Sequence, residues 1–124
     1  VAFQKGLGTT HSLAHPLSSE AGLHHGLANA IMLPHVLRFN AQAVPQRLAD
    51  IGRALDAEAT ADGAFTAVQT LLDDVGIPRT LRESGVTETH IDAMVPLAVQ
   101  DGCHASNPRV TTADDFRALY LAAL

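Results

Sequence analysis

The chain has 124 residues, enough to bury one hydrophobic core and too few for two full domains. Its formal charge of −5, with eight basic residues that form no run, argues against a nucleic-acid partner. A single cysteine, Cys103, excludes an internal disulfide framework and fits the cytoplasm, and no apolar stretch approaches the roughly 20 residues needed to cross a bilayer.

Apolar residues make up 47% of the chain and aromatics only 4%, so the core must be filled by Leu, Ala, Val and Ile, a composition that favours helices. A first helix is predicted over 2–17 from the spacing of Phe3, Leu7, Leu13 and Leu17, with Pro16 straining or stopping it. Residues 18–22 read as a polar turn. Residues 24–39 are apolar on most of their circumference, as a central helix would be, and Pro34 should kink it. Pro45 opens a third helix with Leu48, Ile51, Gly52 and Leu55 at helical spacing. Asp62 reads as the cap of a fourth that places Phe65, Val68, Leu71, Leu72 and Val75 on one face and ends at Gly76. After turns around 77–85, Thr87 opens a helix with Ile91, Met94, Val95 and Ala98 inward, and Thr112 caps the last one. No repeat and no strand pattern interrupts this series. The expected architecture is an all-α bundle of about six helices.

Five of the seven histidines fall between Gly6 and Asn40. His11 and His15 are four apart, so on a helix they share a face and can hold one metal ion as neutral imidazoles. That spacing alone is a weak signal. His24 and His25 begin the next helix after a tight turn, however, so a third imidazole can converge on the pair. The plainer reading makes His24 an exposed cap, gives His35 the carbonyl freed by Pro34, and leaves His90 and His104 isolated among polar residues. Cys103 beside His104 is a poor metal pair, because adjacent residues rarely bind one ion.

The elements "HSLAHPL", "HHGLANAIMLPHVLRFN", "VGIPRTLRESGV" and "DGCHASNPRVTTADDFRALYLAAL" together resemble the C-terminal domain of the iron-containing alcohol dehydrogenase family over essentially the whole chain. The resemblance implies a dehydroquinate-synthase-like helical C-terminal domain that supplies half of a divalent metal site. An N-terminal domain that binds NAD or NADP would lie upstream of Val1, together with an Asp and a His ligand. It also implies His11 and His25 as metal ligands, because Gly26, Ala28 and Asn29 fix the register on His25 rather than His24. His15 then matches a residue lining the pocket near the nicotinamide, in a catalytic role. The metal is iron, or zinc, manganese or nickel by ligand type. The partners implied are an alcohol or aldehyde substrate, the nucleotide-binding domain and a second copy in a homo-oligomer. Ser18 departs from the family, which usually has glycine there.

Two rival readings accompany this one. A maleylacetate-reductase-like enzyme typically carries a histidine three residues after the one matching His25, where this chain has Ala28. A non-catalytic helical interaction module would use its histidines only to cap and pack.

Overall fold

The computed structural model describes residues 7–124, and Phe3 with the expected helix start at residue 2 lie outside them. Among the described residues there are six α-helices and no strand: α1 (Thr9–Ala21), α2 (His25–Asn40), α3 (Pro45–Ala54), α4 (Ala61–Asp74), α5 (Glu88–Gln100) and α6 (Ala113–Ala123). Two short 3-10 helices, Arg82–Ser84 and Gly102–Ser106, connect α4 to α5 and α5 to α6.

The main core lies where α1 packs on α2 and α5, with α6 closing it from the side of α2 and α5. Leu13, Leu17, Met32, Leu81, Ile91, Met94, Phe116 and Tyr120 are fully buried in it. Burying a side chain of this size contributes roughly 1.5–3 kcal/mol. That burial explains the first departure from expectation. α1 runs through Pro16 to Ala21, so residues 18–21 are helical rather than a turn. A helical proline forfeits one hydrogen bond and costs about 3 kcal/mol. Pro16 itself is buried, and Leu13 and Leu17 beside it are fully enclosed, which offsets that cost. α2 likewise continues past the buried Pro34 to Asn40. Tyr120 adds a polar tie, its hydroxyl donating to the Leu13 carbonyl at 2.8 Å.

The helix ends follow local chemistry in most places. Thr112 and Asp115 form a capping box at the start of α6, and Thr87 pairs with His90 in the same way at α5. His90 is therefore a capping residue rather than an isolated one. At α4 the cap is Thr60, whose hydroxyl oxygen accepts from the Gly63 N–H at 2.9 Å, and Asp62 lies within the first turn. A carboxylate there still complements the helix dipole.

α3 and α4 form a smaller unit, burying Leu48, Ala49, Ala64 and Val68, while α2 reaches it through Arg38 stacked 3.6 Å over the Phe65 ring. The predicted apolar face of α4 is only partly covered. Leu71 and Val75 are 53% and 64% exposed, because α4 packs on α3 and α2 and neither covers its C-terminal half. The loop joining the two helices packs tightly on α4 at Gly63, where a Cβ would collide with the Glu58 carbonyl oxygen. Replacing glycine by alanine inside a helix ordinarily stabilises it by up to about 1 kcal/mol. Here the clash reverses the sign, and Gly63→Ala is expected to lower stability in urea unfolding by roughly 1–3 kcal/mol.

His35 makes no hydrogen bond to a carbonyl among the described residues. Burial, and then the Arg38 guanidinium, push its pKa down from the ordinary value. The unfolded chain therefore takes up a proton at this site at a higher pH than the folded chain does. Stability is full above about pH 6.5 and falls as the pH drops through and below that value. His35→Gln is expected to flatten this part of the pH dependence of the urea midpoint.

Candidate active site

α1 places His11 and His15 one turn apart on one face, as a spacing of four dictates. Gly22 then ends the helix in the left-handed region at φ 70°, where glycine carries no Cβ penalty. The Leu17 carbonyl accepts the Gly22 N–H, and the 3.2 Å bond from Leu23 N fixes the reversal. His24 caps α2, its Nδ1 accepting from Gly26 N at 3.2 Å, so His25 becomes the first helical residue.

This reversal gathers three imidazoles. The ring centres of His11 and His15 are 6.0 Å apart, those of His11 and His25 are 5.5 Å apart, and those of His15 and His25 stack at 5.4 Å. Burial and the two neighbouring rings depress the His11 pKa, which favours its neutral form despite the opposing pull of Asp101. The Asn29 side-chain amide lies 3.0 Å from His25 Nε2. The other histidines stand apart from this trio, with His104 Nε2 3.0 Å from the Val99 carbonyl and its ring edge-on to Phe116.

The partner of His15 comes from the other end of the chain. Asp101 lies between α5 and the second 3-10 helix, and its Oδ2 is 2.6 Å from His15 Nδ1. Its Oδ1 accepts from the fully buried Ser12 hydroxyl at 2.9 Å and from Cys103 N at 2.8 Å. Burial alone would raise the Asp101 pKa. The hydrogen bonds from His15, Cys103 and Ser12 win, and the carboxyl is held well below the usual range. No local spacing links residue 101 to residue 15, so the sequence gives the aspartate no partner.

The ligand-type atoms of His15, Asp101 and Cys103 lie within 4.8 Å of one another. They are not spaced as a metal cage. Bonds of about 2.0–2.3 Å in a tetrahedral zinc site hold ligand atoms more than about 3 Å apart, whereas the His15–Asp101 contact is a hydrogen bond. Burial, and then Asp101, also push the Cys103 thiol up to about 11.

The loop that follows fastens this end of the fold. Asn107 and Asn40 exchange side-chain hydrogen bonds of 2.8 and 3.2 Å, and Asn107 Oδ1 also accepts from Thr9 N at 3.4 Å. Arg109 donates to the Phe39 carbonyl at 3.0 Å and stacks on the Phe39 ring. Hollows of about 350 and 340 Å³ flank the imidazoles, one lined by His15, Ser19, Gln100 and Asp101, the other by His11, Asn29 and Leu33. A larger concavity of about 550 Å³, lined by α4 and the loop that precedes it, holds carboxylates and no imidazole, so it lacks the convergent chemistry of the histidine cluster.

The family described as Fe-containing alcohol dehydrogenase, C-terminal, matches residues 1–124. This chain belongs to the iron-containing alcohol dehydrogenase family. It is 44% identical to 4-hydroxybutyrate dehydrogenase of Cupriavidus necator, over 94% of this chain and 33% of that protein. It is 41% identical to lactaldehyde reductase of Escherichia coli K12, over 95% of this chain and 33% of that one. In three dimensions it matches the crystal structure of a 1,3-propanediol oxidoreductase with a TM-score of 0.91 at 37% identity, covering 95% of this chain and 33% of that one. The chain thus spans about a third of the length of these relatives. Ser18 is helical, and its hydroxyl is buried without a partner among the described residues.

A thiol raised from 9.0 to about 11 has roughly a hundredfold less thiolate at neutral pH, and the thiolate is the nucleophile. Cys103 is therefore expected to react with iodoacetamide about a hundred times more slowly than an ordinary cysteine at pH 7–8. Denaturation in urea should abolish the difference.

Proposed function

We propose that this chain is the helical part of an NAD(P)-dependent, divalent-metal-dependent alcohol dehydrogenase, which interconverts an alcohol and an aldehyde or ketone by hydride transfer. The observation that carries this reading is the meeting of three imidazoles from two helices, with ring centres 5.4–6.0 Å apart, in a chain of this family. In this reading a nucleotide-binding domain in the same protein contributes the nicotinamide and the remaining metal ligands, and the assembly is a homo-oligomer. The cytoplasm suits its one unpaired cysteine. A hydride needs a carrier, which no side chain supplies.

The donor set fits a divalent cation. His11 is biased to the neutral form, and neutral imidazole is what iron, zinc, manganese or nickel takes. His11 and His25 are the two residues that hold it. When bound, such an ion supplies Lewis acidity that lowers the proton affinity of the alcohol oxygen. His15 takes up or returns the alcohol proton, the general acid–base role that imidazole commonly fills. The packing of α1 on α2 keeps the rings together. Ala28 disfavours the maleylacetate-reductase-like alternative, because it is fully buried in the core and a histidine there would have no room.

Titration of Co(II) or Zn(II) into the 15N-histidine-labelled chain tests the ligand assignment. His11 and His25 resonances are expected to respond, His11→Ala and His25→Ala each to abolish the response, and affinity to be weak because two imidazoles leave half the coordination sphere to water. Submicromolar binding that survives either substitution would contradict the assignment.

A further inference from the structure

The three imidazoles differ in what lies behind them, and only His15 has a carboxylate. That carboxylate has little freedom. Asp101 is the residue on which α5 ends and the 3-10 helix begins, and its Oδ1 is fixed by the Cys103 N–H and by the Ser12 hydroxyl. Ser12 is fully buried on the same helix as His15, so the donor that orients Asp101 and the ring that Asp101 orients move as one body. The remaining oxygen, Oδ2, meets His15 Nδ1 at 2.6 Å, a close contact of the kind a charged acceptor makes. An ionised carboxylate can only accept, so Nδ1 must be the donor.

His15 needs such an anchor. Its side chain is 41% exposed, and an imidazole at the protein surface is free both to turn about its Cβ–Cγ bond and to exchange tautomers. Which ring nitrogen carries the proton is set by the hydrogen bond the other makes. With Nδ1–H committed to Asp101, the lone pair of the neutral ring is confined to Nε2.

From this arrangement we infer that Asp101 is a positioning residue for His15: it holds the ring in the Nδ1–H tautomer, so that Nε2 is the nitrogen available to accept the alcohol proton. The inference deepens the proposed role of His15 and rests on that reading for its catalytic consequence. Its structural part, the tautomer, stands independently of metal or cofactor. The stabilising donors have graded importance. Ser12 and the Cys103 N–H fix Asp101, and Asp101 alone fixes the ring.

Long-range 1H–15N correlation spectra of the histidine-labelled chain, recorded above the imidazole titration, read the tautomer directly. His15 is expected to show a protonated Nδ1 and an unprotonated Nε2. Asp101→Asn places an amide opposite the ring, whose N–H can donate to Nδ1, so the proton is expected to move to Nε2. In the protein carrying both domains, the same substitution is expected to lower kcat about a hundredfold with KM little changed, the scale of a lost proton-transfer contribution. Ser12→Ala is expected to retain the Nδ1–H tautomer. An Nε2–H tautomer in the unsubstituted chain would overturn the inference, whether or not Asp101→Asn folds. A reversed tautomer with unchanged kcat would overturn the positioning role. Failure of His11 and His25 to respond to metal, with the His15 tautomer as stated, would instead sink the proposed metal site and leave the Asp101–His15 pairing intact.

Discussion

One carboxylate joins the histidine face of α1 to the end of α5, residues 86 positions apart in the chain. Asp101 is largely buried, and a buried charge is stable only when its oxygens are occupied. Three donors occupy them: two from α1 and one from the backbone of the 3-10 helix. The contact thereby makes the site and the fold interdependent. The helices pack so that Asp101 meets Ser12 and His15, and the carboxylate in turn tolerates burial only because they do.

The rest of the molecule serves to keep α1 and α2 in a fixed relation. α1 is enclosed by α2 and α5, its hydroxyls Thr9 and Ser12 are fully buried, and both reach the C-terminal segment: Thr9 bonds Thr111 at 2.7 Å and Ser12 bonds Asp101. Asn107 bridges the start of α1 to the end of α2. Imidazoles contributed by two helices stay within reach of one another only if the reversal between those helices is rigid, and the Gly22 turn with Leu17 and Leu23 in the core supplies that rigidity. The α3–α4 unit stands outside this arrangement.

What could be read from the sequence was what depends on near neighbours. The six helices, the caps Thr87 and Thr112 and the opening proline of α3 depend on residues within one turn, and each appears where local rules place it. His25 was separable from His24 because glycine, alanine and asparagine fix the register of the motif. Pro16 was misread as a stop because the cost of a helical proline is local while the burial that offsets it comes from α2 and α5. The exposure of Leu71 and Val75 was not legible, because periodicity defines a face without revealing whether anything covers it. The Asp101–His15 pair was illegible for a related reason: its distance in sequence is long, and neither residue's neighbours carry a pattern that names the other.

Anomalous X-ray scattering at the zinc edge, from crystals of the protein containing this chain grown with zinc, tests the central claim most directly. The account predicts one peak beside the His11 and His25 imidazoles, with His15 outside the coordination sphere and still bonded to Asp101. A peak held by His15, Asp101 and Cys103, with the His15–Asp101 hydrogen bond broken, would contradict it.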